Sequence, residues 1–372
     1  MTQTPAASPR VAPADMLNTL LGIADGSPLA QLRVQRPEAT GHMQGSYDAL
    51  FSDTSATAVS RTERFATALR VAALHAEPAF VAHFSKLLRA EDALVADVMA
   101  GQAAAGLPMR LQAMLTHADL LVIRPAAATP AALAALQQAG LTAPEIVTIS
   151  QLIAFTSFYI RVFVGLALLG GSDRAAPSTR LGPRDAPNSG FTQEQLGWAP
   201  WIEPFAAAAA TDEQRAVLPG QRLDSPYFRL LALDPAVLGE RTATDMGIFY
   251  THGGLPRPER ELSAAVTSRV NGCIFCASVH SRFAAQLSKR TEDVQRLLDE
   301  GIGAELDPRW RAVTDLAAAL TVTPPAATQA HLATLRGLGL DDLEILDALQ
   351  AAAFFAWANR LMLTLGEPIR PA

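Results

Sequence analysis

LAALQQAGLTAPEIVTISQLIAFTSFYIRVFVGL, residues 133–166, aligns without a gap on LATLRGLGLDDLEILDALQAAAFFAWANRLMLTL, residues 332–365. Leu136, Gly140, Glu145, Gln151, Phe155 and Arg161 fall on Leu335, Gly339, Glu344, Gln350, Phe354 and Arg360. In each copy the glycine is placed to end one helix, and the acidic residue after it suits the start of the next. Apolar residues recur at spacings of three and four. Each half of the chain therefore ends in the same helix-turn-helix, and the chain reads as all-α with an internal duplication.

Working outward, SRTERFATALRVAALHAEPAFVAHF from Ser60 parallels LPRPERELSAAVTSRVNGCIFCASVHSRF from Leu255, with a small slip of register. The Gly-, Pro- and Ser-rich stretch GSDRAAPSTRLGPRDAPNSG, residues 171–190, reads as the linker between the halves. A chain of 372 residues also exceeds the usual size of one hydrophobic core. The expected organisation is a disordered tail over 1–15, a helical domain over 16–170, the linker, and a second helical domain over 191–372.

A formal charge of −6 without any long basic run argues against nucleic acid or anionic lipid as a partner, and for a small or neutral substrate. Residues 146–169 are apolar enough to raise the question of a membrane span, which needs about twenty apolar residues. They include Ser150, Gln151 and Arg161 and are expected to form a buried core helix instead. The N-terminus has no basic stretch followed by an apolar core, so no signal peptide is read. The two cysteines, three residues apart, do not make a secreted disulfide framework, and a cytoplasmic location is expected.

The chemistry is concentrated in one segment: Glu261, then Cys273, Cys276 and His280. If residues 276–287 are helical, Cys276 and His280 share a face within hydrogen-bond reach. Cys273 is then close enough to Cys276 for a disulfide. Asn271-Gly272 is a helix breaker, with Asn271 available as an N-cap. The cysteines thus open a helix, whose N-terminal amides and dipole favour a thiolate, and the thiol pKa is expected below its free value of about 8.5. A thiolate attacks a peroxide O–O bond to give a sulfenic acid, and a second thiol resolves it to a disulfide. Glu261 falls on the preceding helix, residues 257–270, and reaches the site only if that helix packs antiparallel or crosswise on the next. Its expected role is to hold His280 and accept the proton.

The pattern, within RPERELSAAVTSRVNGCIFCASVH, resembles the signature of the alkylhydroperoxidase D and carboxymuconolactone decarboxylase superfamily, its peroxidase-related branch in particular. The resemblance covers residues 191–372, including WAPWIEP and YFRLLALDPAVLGE. It implies that Cys276 attacks a small-molecule hydroperoxide, that Cys273 is the more exposed, resolving cysteine that meets the electron donor, and that His280 and Glu261 relay protons. It also implies a compact helical domain that uses no haem, flavin or metal and assembles as a homo-oligomer. The implied electron donor is a dihydrolipoyl-carrying or thioredoxin-like dithiol protein. The first half resembles the same fold without cysteines. One departure is Phe275, where characterised alkylhydroperoxidase D proteins carry a histidine. The decarboxylase members lack the cysteine pair, which Cys273 and Cys276 set against that activity.

Other uses of the pair fit less well. A structural zinc site wants four ligands, and only His280 lies near. Haem attachment needs a histidine directly after the second cysteine, where this chain has Ala277. A thioredoxin-type motif needs a βαβ setting. A non-enzymatic redox sensor or scaffold is the alternative function. His75, His83, His117 and His331 are isolated and expected to be surface or core residues. Tyr250 and His252 are expected in loop packing near the site's entrance, and Trp198 and Trp201 as core anchors.

Overall fold

The computed structural model describes residues 15–53, 58–101, 106–182, 185–186 and 190–370. The first half supplies α1 (Met16–Leu21), α2 (Pro28–Arg33), α3 (Pro37–Phe51), α4 (Arg61–Leu74), α5 (Pro78–Glu91), α6 (Ala93–Ala100), α7 (Met109–Ile123), α8 (Pro130–Gln138) and α9 (Ala143–Leu169). The second supplies α10 (Asp212–Val217), α11 (Pro226–Leu231), α12 (Pro235–Phe249), α13 (Arg257–Asn271), α14 (Ile274–Ser288), α15 (Thr291–Glu300), α16 (Pro308–Thr321), α17 (Gln329–Gly337) and α18 (Asp342–Leu365). The all-α expectation holds apart from one short antiparallel pair, β1 (Gly197–Pro200) with β2 (Gly366–Ile369).

The helix-turn-helix read from the sequence forms in both halves. Gly140 and Gly339 each adopt φ 89°, the left-handed conformation that ends a helix most cheaply at glycine. Leu141 N donates to Leu136 O at 3.1 Å, and Leu340 N to Leu335 O at 3.1 Å. Capping boxes at Thr142 with Glu145 and at Asp341 with Glu344 then start α9 and α18.

Similar contacts recur upstream in the two halves. Arg110 joins Glu63 (2.7 Å) and Glu145 (2.5 Å), tying α4, α7 and α9. Arg309 joins Glu259 (2.7 Å) and Glu344 (3.1 Å), tying α13, α16 and α18 in the same way. Arg64 donates to the carbonyl of Leu50 near the end of α3, and Arg260 to that of Ile248 near the end of α12. Left-handed residues follow α4 and α13 at Ala76 (φ 50°) and Gly272 (φ 76°). With these pairs superposed, Glu261 corresponds to Phe65, Cys273 to Glu77, Cys276 to Phe80 and His280 to Phe84. The same elements thus recur in order, α2 to α9 and α11 to α18.

One hydrophobic core runs through both halves. Helix α9 is the one described helix long and apolar enough to cross a membrane, yet 89% of its apolar window is buried inside the protein. It packs along α18: Gly165 leaves room for Leu349, Phe155 meets Trp357 edge-on at 5.1 Å, and Gln151 accepts from Trp357 Nε1 at 2.8 Å. Each such aromatic contributes roughly 1.5–3 kcal/mol by burial, so the seam is a main source of stability. A buried ion cluster crosses it as well, in which Asp347 takes Arg36 at 2.7 Å and Arg260 at 3.1 Å.

Residues 1–14 of the expected tail lie outside the described residues, but Asp15 is ordered. It caps α1 through Asn18 N and pairs with Arg33. The described parts of 171–190 lie against the protein: Arg174 pairs with Glu77, Leu181 N donates to Thr323 O, and Asp185 pairs with Arg269. Trp198 and Trp201 dock on the end of α18, through Trp198 Nε1 to Met362 O and Trp201 N to Leu365 O.

Candidate functional site

Helices α13 and α14 meet at a tight corner. Gly272 is left-handed, and a Cβ there would come within 2.7 Å of the Ala126 side chain, so both backbone and space call for glycine. The corner shifts the helix start from its expected place. Cys273, rather than Asn271, is the N-cap of α14, and Asn271 is the last residue of α13, its side chain donating to Asn359 Oδ1 at 3.0 Å. Cys276 is the third residue of α14, inside the first turn, where unpaired amides and the helix dipole favour an anion.

Both cysteines are free thiols and lie 3.3 Å apart. The resemblance implies a more exposed Cys273, and the structure does not place it so: Cys273 is 1% exposed and Cys276 4%. The reason is the corner itself, which tucks the N-cap residue beneath α18 and the end of α13. His280 lies one turn beyond Cys276, as the spacing predicts, and α13 packs on α14 so that Glu261 reaches it, Oε2 to Nδ1 at 2.6 Å. Arg257 holds the other carboxylate oxygen at 3.1 Å. The imidazole is wedged against Phe355, with centroids 4.1 Å apart, and its side chain keeps 18% exposure.

The electrostatics separate the two thiols. Cys276 is held below the ordinary thiol value, chiefly by the hydrogen bond from Cys273, against burial, with help from His280, Asn359 and Arg241. Cys273 is pushed well above it by burial and by the neighbouring Cys276. Burial pulls His280 down, but the bond and charge of Glu261 and the charge of Cys276 outweigh this and leave it above its usual value. These shifts favour a thiolate at Cys276 over one at Cys273, and favour the protonated form of His280.

Sequence reasoning missed several groups that meet here. Asn359 of α18 donates to Ser268 Oγ at 3.0 Å and lowers the pKa of both thiols. One signal was available, since the residue aligned with Asn359 in the first half is Ile160. Arg241 and Asp245 of α12 add charge, and burial holds the Asp245 carboxyl above its usual range. Tyr250 is half exposed and stacks on Arg257, while His252 contributes its carbonyl to Arg36. His75 and His83 are bound to Arg161 and Tyr47, and His117 and His331 also sit in structural contacts. Among the described residues, no three His, Cys, Asp or Glu side chains are grouped to hold a metal ion.

No curated protein matches the chain. Several solved structures are similar, two of them as follows. One is the alkylhydroperoxidase AhpD core of an uncharacterized peroxidase-related protein from Ralstonia eutropha JMP134, at 24% identity and TM-score 0.39, covering 46% of this chain and 90% of that one. The other is an uncharacterized peroxidase-related protein from Silicibacter sp. TM1040, at 25% identity and TM-score 0.38, with the same coverage. Residues 235–319 match the carboxymuconolactone decarboxylase family. That stretch contains Glu261, Cys273, Cys276 and His280, and it is the part of the chain that is similar to the carboxymuconolactone decarboxylase family.

Proposed function

We propose that the second half is a thiol-dependent peroxidase that reduces small alkyl hydroperoxides through a dithiol–disulfide cycle. The observation that carries this reading is the buried Cys276, favoured as a thiolate by the Cys273 thiol, by Asn359, and by a His280 whose protonated form Glu261 favours.

The Cys276 thiolate attacks the terminal oxygen of ROOH. The S–O bond forms, the O–O bond breaks, and the alkoxide leaves as ROH with the proton from His280. Cys273 then attacks the Cys276 sulfenic sulfur; the S–S bond forms, the S–O bond breaks, and hydroxide leaves as water with the Cys273 proton. The two thiols have supplied two electrons, and an external dithiol returns them by exchange. The burial of both sulfurs favours a slender donor, so a dihydrolipoyl group on its arm suits the site better than a dithiol fixed on a thioredoxin-like surface. The same burial speaks against a non-enzymatic sensor whose disulfide is read at the surface.

The first half, in this reading, is a degenerate copy arising from duplication, filling the place a partner subunit would take. Operation in the reducing cytoplasm and assembly as a homo-oligomer belong to the same proposal. The test is consumption of tert-butyl hydroperoxide by the full chain with dihydrolipoamide. Cys276→Ser abolishes turnover, and Cys273→Ser allows a single oxidation without disulfide formation. A wild type no faster than Cys276→Ser ends the reading.

A further inference from the structure

Two buried donors beside the dithiol have no partner. Tyr227 of α11 is 6% exposed and packs edge-on against Trp198 at 5.2 Å, and its hydroxyl has no hydrogen-bond partner. Arg241 of α12 is 5% exposed and stacks over Phe354 and Trp357, with its guanidinium carbon 5.1 and 5.7 Å from the ring centres. Its Nε is buried without a hydrogen-bond partner, and Asp245, four residues on, lies within reach of its charge. Buried polar groups are nearly always satisfied in a native fold, so donors left open at one place point to a group that arrives. Both lie within electrostatic reach of Cys276, and Tyr227 of Cys273 as well.

The repeated fold supplies a second, independent observation. Helices α2 and α11 correspond, each starting with Pro after a Ser N-cap, and so do α3 and α12. In that register Leu29 stands for Tyr227 and Met43 for Arg241. The half with Phe80 and Phe84 in place of Cys276 and His280 is therefore apolar at these two positions also. Packing alone accepts Leu and Met there; the polar pair goes with the thiols.

We infer that Tyr227 O–H and the Arg241 guanidinium bind the hydroperoxide, donating to the oxygen that departs as Cys276 attacks the other. As the S–O bond forms and the O–O bond breaks, negative charge gathers on that departing oxygen. Two fixed donors in a site closed to water stabilise it there before it takes the His280 proton. Phe275, between the cysteines, offers no donor of its own. This assignment rests on the peroxidase reading and names the residues that make the substrate a hydroperoxide rather than any thiol-reactive electrophile.

The test compares two reagents on the full chain. Rate constants for tert-butyl hydroperoxide and for iodoacetamide, which needs a thiolate but has no departing oxygen to bind at these donors, are measured across pH and extrapolated to full Cys276 ionisation. Tyr227→Phe is expected to slow the hydroperoxide reaction by roughly a hundredfold and leave alkylation within about twofold. Because it removes only an unpartnered hydroxyl, its unfolding midpoint should match the wild type or exceed it. Arg241→Met, the residue of the first half, should show the same selective loss together with a higher pH midpoint of alkylation. Variants that react with hydroperoxide as fast as wild type, or that lose both reactions equally, overturn the inference while the peroxidase reading stands. A wild type no faster than Cys276→Ser overturns both.

Discussion

Phe80 in the first half stands where Cys276 stands in the second. Each follows a left-handed residue, Ala76 or Gly272, by four positions, and each is followed four positions later by a ring, that of Phe84 or of His280. One backbone therefore carries two fillings. In the first half Phe51, Phe80 and Phe84 pack as neighbours. In the second, Phe249 remains in the place of Phe51, and the thiol and imidazole replace the other two rings. The corresponding corners thus hold packed rings in the first half and the thiol and imidazole in the second.

Glu261 sets the charge of His280, so Glu261→Gln should lower the imidazole pKa and weaken its support of the thiolate. Turnover is expected to fall roughly ten- to a hundredfold at neutral pH. The pH midpoint for alkylation of Cys276 should move up. An unchanged midpoint would show that Glu261 does not act through His280.

The pH dependence of stability carries a sign. His280 has a folded pKa above its unfolded value of about 6.5. Its contribution is fully present below that unfolded value and is lost as pH rises through the folded pKa. His280→Gln should therefore be most destabilised relative to wild type at acidic pH, with the difference shrinking as pH rises. Denaturant midpoints measured from mildly acidic to alkaline pH check this, and a deficit that grows with pH contradicts it.

Asn359→Ile places the aligned residue of the first half into the second. It removes the acceptor for the buried Asn271 amide and the group that lowers the pKa of both thiols. A stability loss of about 1–3 kcal/mol is expected, with an alkylation midpoint shifted upward. Equilibrium unfolding and thiol titration read the two effects separately.

Gly272→Ala meets both a left-handed backbone and the Ala126 Cβ. The cost should be about 1–3 kcal/mol, part of it recovered when Ala126→Gly is added, since only the steric share depends on Ala126. A double-mutant cycle on unfolding free energies measures that share. Strict additivity would show that the contact is slack.

Much of this was legible in the chain. The glycines at 140 and 339, the capping boxes after them and the long apolar helices followed from local rules, because each is decided within a few residues. The Cys276–His280 pairing was equally local, one helical turn. Asn359, Tyr227 and Arg241 come from α18, α11 and α12, and no spacing rule joins them to Cys276; only the packed structure does. The N-cap was misplaced by two residues because Asn271 is a good cap by type, while Gly272 turns the chain after it and hands the role to Cys273. Exposure of Cys273 likewise depends on what lies over the corner, which is set by the far end of the chain.

Asp347 shares its carboxylate between Arg36, near the beginning of the chain, and Arg260, beside the dithiol helix. Where two separate chains meet through such a cluster, dilution pulls them apart; here both partners belong to one polypeptide, and their effective concentration is fixed by the covalent connection. The seam along α9 and α18 cannot be lost by mass action. The two halves of one chain should accordingly unfold together, and cutting the chain within 171–190 would turn an intramolecular constant into a dissociation constant.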